Sequence, residues 1–389
     1  MKILLKKFKV FFWIFLNKKY YLILLVLFLV FCGYSVGVLA TIKGYQPKTF
    51  VINFYKTLKD WDRFETINPS YLETNIDSLI SIRTKNDIIE KRNELIQLIW
   101  SNQGFPYSKM PNKIEEGFKD SRYTNLDNLN RIDKITIVMD YGLNSIIYHF
   151  QPIEGNQKLM IYHQGHGGDF INGKKTINFF LSKGYSVMAF SMPVFGMNNQ
   201  PVVDLERFGK FKLESHSRFN LLETDKIYPI KFFLEPVVIG LNSVKKFNYQ
   251  ENFMIGISGG GWTTTLYSVI DPRIFRSYAV AGSLPLFLRN IQEWGDYEQN
   301  VFELYDIANY LELYILGSYG ENRSHTQILN KYDPVVFSGV KYQVYEEKVK
   351  EIVSDLGKGE FEIYLDEGNR KHTISVKTLE IIIDNIENY

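Results

Sequence analysis

From residue 133 onward, short apolar runs alternate with longer segments whose apolar residues recur at helical spacing. Runs at 135–139 and 145–150 flank Asp140-Tyr141-Gly142 and predict two strands joined by a tight turn. Further strands are expected at 158–162, 185–190, 253–257, 277–281, 326–330 and 361–365. Between them, helices are expected at 178–183 (ending at Gly184), 228–246, 263–270 (stopping at Asp271-Pro272), 310–319 and 344–356. Residues 282–309 fit neither period and read as an insertion able to cap a pocket. Strand and helix alternating over this length predict an α/β fold, a mostly parallel sheet with helices on both faces.

The N-terminal third follows different patterns. Residues 20–40 are 21 positions without a charge, rich in Leu, Val and Phe, long enough to span a bilayer as a helix. Lys2, Lys6, Lys7, Lys9, Lys18 and Lys19 precede this run, while only Lys43 and Lys48 follow closely. That asymmetry predicts a single-pass membrane protein with a cytoplasmic N-terminus and the remainder on the opposite side. The rival reading is a cleaved signal peptide, with Val38-Leu39-Ala40 at the cleavage site, but the run exceeds the usual apolar core of about 7–15 residues. Residues 10–16, apolar between lysines, read as interfacial. A juxtamembrane helix is expected at 50–64 and an amphipathic helix at 87–100, and 101–129 reads as loop. The expected organisation is a basic segment at 1–19, a transmembrane helix at 20–41, a helical spacer and loop at 42–132, and the α/β domain at 133–389.

Composition narrows the chemistry. A net charge of +2 with no dense basic stripe beyond the N-terminus argues against a nucleic-acid partner. The single cysteine, Cys32, lies in the apolar stretch, which excludes an internal disulfide, a cysteine nucleophile in the rest of the chain and a cysteine-based metal site.

The informative residues are Gly256-Ile257-Ser258-Gly259-Gly260, a G-x-S-x-G match at the end of the apolar run 253–257 and before a helix. Such a serine sits on a strained strand-to-helix turn with its hydroxyl exposed, and the free N–H groups of the following helix favour negative charge beside it. Upstream, the 158–162 strand runs into His163-Gln164-Gly165-His166-Gly167-Gly168-Asp169, a loop whose glycines let backbone N–H groups approach a ligand. Downstream, Asp333 follows the 326–330 strand and His372 follows the 361–365 strand. Each lies just past a strand's carboxyl end, where open α/β sheets bind ligands.

This order and spacing resemble the α/β-hydrolase family over about residues 133–389. The resemblance implies Ser258 as nucleophile, His372 as general base and Asp333 as the acid that orients it. It also implies an oxyanion hole made by the Gly259 N–H and an N–H from Gln164 or Gly165. Glu321 is the rival acid if 311–317 is the penultimate strand, whereas Asp366 and Glu367 are too close to His372 in sequence. His149, His216 and His325 fit the base role less well. His163-x-x-His166 spans a glycine loop rather than a helix, and no H-E-x-x-H or cysteine cluster occurs, so no metal site is expected. His166 reads as a hydrogen-bonding anchor for its loop. The implied activity is hydrolysis of a small-molecule, lipid or sugar carboxylic ester through an acyl-enzyme, with no metal or organic cofactor. Acyl transfer to an alcohol through the same intermediate, or an inactive scaffold of the same fold, are the alternatives.

Overall fold

The sheet is built by strands whose successive residues feed two separate cores. In the computed structural model, which describes residues 18–42 and 62–388, nine strands lie in the order β1-β2-β3-β5-β4-β8-β9-β10-β11. These are β1 (Lys113–Glu115), β2 (Leu129–Val138), β3 (Asn144–Pro152), β4 (Lys158–His163), β5 (Ser186–Phe190), β8 (Glu251–Ile257), β9 (Ile274–Val280), β10 (Ser324–Asn330) and β11 (Glu360–Asp366). β6 (Val202–Leu205) and β7 (Gly209–Lys212) form a separate hairpin. β1, β2 and β3 pair antiparallel, as does β3 with β5, and all pairings from β5 to β11 are parallel.

Leu159 and Ile161 of β4 and Met254 of β8 enter one core, while Met160, Tyr162, Phe253 and Ile255 enter the other. Parallel strands covered on both faces have no polar side, so they read as continuous apolar runs rather than alternating ones. Helices Lys231–Ser243, Gly259–Ile270, Tyr310–Ser318 and Glu346–Asp355 contribute to the first core. Lys174–Ser182 and Val376–Glu387 contribute to the second. The expected α/β architecture is therefore present.

Several elements escape the sequence pattern. β1 lies inside the segment read as loop, the β6–β7 hairpin inside an unassigned stretch, and helix Val376–Glu387 beyond the last expected strand. β1 is three residues long and mostly exposed, so it carries almost no hydrophobic signal.

Residues 63–132 do more than space the domain from the N-terminus. Arg63–Tyr389 is one compact unit. Ile82 and three residues of helix Lys85–Ile99 (Ile88, Leu95 and Ile99) are fully buried in its first core. Arg92 donates to the carbonyl oxygens of Val269 at 2.6 Å and Leu316 at 3.2 Å, and Ser81 donates through its N–H and Oγ to Glu312. Removing one such buried aliphatic side chain costs about 2–5 kcal/mol, against about 5–15 kcal/mol for a whole domain. A chain beginning at residue 133 is thus expected to be unfolded or insoluble, whereas one beginning at residue 62 retains the fold. Near-ultraviolet circular dichroism and thermal unfolding check this, and a cooperative transition from the 133–389 fragment would overturn it.

The other unit contains helix Lys18–Ile42, which covers the charge-free run. The apolar side chains from Leu24 to Phe31 are exposed. Counted over the described residues, no helix is long and apolar enough to cross a membrane. The juxtamembrane helix expected at 50–64 falls largely outside the described residues; a helical turn is present at Asp62–Glu65.

Candidate active site

Ser258 joins β8 directly to helix Gly259–Ile270 and adopts φ 58° and ψ −124°. Positive φ is unfavourable for a residue with a Cβ and persists only where its surroundings enforce it. Here the Ser258 N–H donates to Val280 O at 2.9 Å, and the helix begins at once, with the Trp262 N–H on Ser258 O at 2.9 Å. A Cβ at Gly260 would stand 2.1 Å from His163 O, so only glycine lets this helix press against the end of β4. The first N–H groups of the helix have no partner within it.

His163 at the end of β4 pairs in register with Gly256 of β8, so the His/Gly loop emerges beside Ser258. A Cβ built on Gly165 would lie 2.7 Å from Ser258 Cβ and 3.3 Å from Gly259 N, which measures how closely the loop backbone approaches the turn. The Gln164 N–H donates to Phe190 O at 2.9 Å. Of the two loop donors expected from sequence, Gln164 therefore spends its N–H inside the fold. Its side-chain carbonyl accepts from Tyr162 Oη, which fixes the base of the loop.

Asp333 and His372 follow β10 and β11, and the structure brings them together. His372 Nδ1 lies 2.8 Å from Asp333 Oδ2 and 3.0 Å from Oδ1. The Asp333 carboxylate is fully buried, and its Oδ1 also accepts the N–H groups of Val335 at 2.8 Å and Val336 at 3.2 Å. Asn330 donates to Asp333 Oδ2 and to the carbonyl oxygens of Lys371 and Thr373, tying the two loops together. Asp366 accepts from the N–H groups of Gly368 and Asn369 and so shapes the loop that carries His372. Asn330 was not singled out by sequence, and Asp366 was weighed there only as an acid too close to His372; the work of both is to position backbone. His372 Nε2 is buried and without a hydrogen-bond partner. Glu321, the rival acid, is exposed and bonds Lys358 Nζ at 2.5 Å; 310–318 is helix, so no strand delivers Glu321 to the histidine.

The remaining histidines divide in two. His149, His163 and His325 are buried, and burial lowers their pKa to about 3, about 4 and about 3 respectively, which keeps them neutral. His149 contacts Tyr249 Oη, His163 faces Gln164 O and stacks on Phe190, and His325 meets Ser277 Oγ. His163 and His166 thus do not act as a pair. His166 instead meets His216, Asp296 and Glu298, residues remote in sequence that no local motif announces. Burial raises the Glu298 carboxyl, but the His166 and His216 imidazoles outweigh it and hold it at about 2.

No protein-family model matches the chain, and no curated protein matches it in sequence. Solved structures do match in shape. Acetyl xylan esterase 1 from Thermoanaerobacterium sp. JW/SL YS485 covers 82% of this chain and 98% of its own, with a TM-score of 0.53 at 14% identity. The acetyl xylan esterase from Paenibacillus sp. R4 covers 83% of this chain and 100% of its own, with a TM-score of 0.53 at 15% identity. A methylesterase covers 84% of this chain and 69% of its own, at a TM-score of 0.53 and 12% identity. The fold is that of the α/β-hydrolases. At these identities the likeness is one of fold.

Proposed function

We propose that this chain is a serine hydrolase acting on carboxylic esters. The observation that carries the reading is the hydrogen-bonded pair of the buried Asp333 and the half-buried His372, with the imidazole's other nitrogen unpartnered, at the same carboxyl edge of the sheet as the strained Ser258 turn. The names of the three similar structures, two acetyl xylan esterases and a methylesterase, support the reaction class.

In this mechanism His372 Nε2 takes the Ser258 proton as Oγ attacks the ester carbonyl carbon. The carbonyl oxygen becomes an oxyanion, held by the Gly259 N–H and, since the Gln164 N–H is engaged, by the Gly165 N–H. Asp333 keeps Nδ1 protonated and stabilises the imidazolium. The alcohol leaves with the proton from Nε2, and water, deprotonated by the same nitrogen, releases the acid and regenerates Ser258. The test is covalent labelling of Ser258 by a fluorophosphonate together with turnover of an activated ester, with Ser258→Ala as the deciding variant. Activity only with an added alcohol acceptor would reassign the enzyme to acyl transfer.

We also propose that the run at 20–41 anchors the protein in a membrane, with residues 1–19 cytoplasmic and the catalytic unit on the other side. The 21 uncharged positions and the preceding lysines support this. The full chain is expected to stay with the membrane fraction through alkaline carbonate washing, and its release as a soluble product beginning near Thr41 would overturn the anchor.

A further inference from the structure

His166, His216, Asp296 and Glu298 come from three distant parts of the chain, yet each offers one ligand atom within 4.8 Å of the others. His166 Nε2 lies 3.0 Å from Asp296 Oδ2, 3.0 Å from Glu298 Oε1 and 3.1 Å from His216 Nδ1. His216 Nδ1 lies 3.2 Å from Glu298 Oε2. A tetrahedral zinc site with ligand bonds of about 2.0–2.1 Å has edges of about 3.3 Å, and these four separations are close to that value.

With both imidazoles neutral, the hydrogen inventory does not satisfy the cluster. His216 Nε2 faces Pro193 O at 2.9 Å, and a carbonyl only accepts, so in the neutral ring Nε2 carries the proton and Nδ1 presents a lone pair. His166 Nε2 then faces that lone pair and two carboxylate oxygens, and one hydrogen cannot serve all three. Glu298 is the sharpest case. Its side chain is fully buried, and neither oxygen makes a hydrogen bond, although both lie at ion-pair distance from an imidazole nitrogen. A buried carboxyl group without directed hydrogen-bond partners is costly. A cation bound among these atoms would meet their lone pairs together, in place of an added proton on the imidazoles.

We infer that His166 Nε2, His216 Nδ1, Asp296 and Glu298 form a binding site for a divalent cation of the zinc class. Two imidazoles and two carboxylates suit that ion, and the Pro193 carbonyl supplies the outer hydrogen bond that fixes the tautomer of a ligating imidazole. Four protein ligands close the coordination sphere, which makes the ion a clamp rather than a reactant. It joins the loop after β4, the 3₁₀ segment His216–Leu222 and the insertion between β9 and helix Tyr310–Ser318. The His166 ring packs on Gly259, where an added Cβ would meet Cε1 at 2.4 Å, so the clamp braces the turn at Ser258. His166 thereby gains a role beyond the hydrogen-bonding anchor expected from sequence.

The inference is independent of the ester-hydrolase reading, because its readouts are metal content and unfolding temperature. The untagged full chain in detergent is stripped with a chelator, re-supplied with zinc, desalted and assayed for bound metal. Stoichiometric zinc is expected, with a higher Tm than the stripped protein, since a ligand bound only by the folded state stabilises it. Cobalt(II) in its place should give the strong visible absorption of a tetrahedral site. Glu298→Gln and His216→Ala should abolish retention. Asp296 is half-exposed, so Asp296→Asn keeps the fold and should weaken zinc affinity by at least about tenfold. Absence of zinc retention and of a Tm gain in the wild type would show that protons alone settle this cluster, and retention unchanged in Asp296→Asn and Glu298→Gln would place the metal elsewhere; either result would overturn the site.

Discussion

Ser258→Ala is expected to lower kcat for an activated ester by several orders of magnitude and to abolish fluorophosphonate labelling, while leaving Tm almost unchanged. The substitution removes Oγ and nothing else. Alanine bears the same Cβ in the same left-handed conformation, and the bonds that enforce the turn are backbone bonds, from the Ser258 N–H to Val280 O and from the Trp262 N–H to Ser258 O. Loss of a nucleophile that works as a unit with its base costs about 10⁴–10⁶ in kcat, and the residual rate comes from the oxyanion donors and binding. The two readouts separate two failures. Turnover within about tenfold of the wild type would remove Ser258 from the nucleophile role. A large fall in Tm would mean that the hydroxyl supports the turn, and lost activity would then say nothing about chemistry.

The parallel strands were legible because of where they are buried. β8 contributes five consecutive buried residues from Phe253 to Ile257, and a run of that kind followed by Ser-Gly-Gly admits few other structures. The same logic hid β1, whose three residues are held by pairing with β2 rather than by burial. Nor does it show that residues 63–132, part of the stretch read as helical spacer and loop at 42–132, belong to the same compact unit as the strands. Helix Lys85–Ile99 was recognisable from its spacing, but that its apolar face packs into the same core as Leu234, Trp262 and Leu313 depends on contacts across well over a hundred residues.

The site divides along the same line. Ser258, Asp333 and His372 each follow a strand, so strand order alone delivers them to one edge of the sheet. Gln164 and Gly165 were inseparable in sequence, and only the bond from the Gln164 N–H to Phe190 O distinguishes them. The cluster around Glu298 was invisible because its ligands share no motif. His216 sits in a segment without periodicity, and Glu298 in an insertion whose fold is set by Arg289 bonding Leu284 O and Gln299 and packing over the Tyr310 ring.

Asp333→Asn is expected to cut kcat by up to about 10⁴ with a much smaller effect on KM. The structure says why the amide should orient badly. Oδ1 already accepts the Val335 and Val336 N–H groups, so the asparagine oxygen must take that side. Its NH₂ then occupies the place of Oδ2, at 2.8 Å from His372 Nδ1, and needs an acceptor there. The imidazole can supply one only by moving its proton to Nε2, the nitrogen that has to receive the serine proton. The NH₂ also faces the Asn330 Nδ2 donor at 3.2 Å, a second reason for modest destabilisation, of about 1–3 kcal/mol. Turnover should therefore be measured well below the variant's Tm. Glu321→Gln is the control, since Glu321 is exposed and bonds only Lys358. A near-silent Asp333→Asn beside a crippled Glu321→Gln would exchange the two acids, and a near-silent result in both would leave His372 without an orienting carboxylate and dismantle the proposed mechanism.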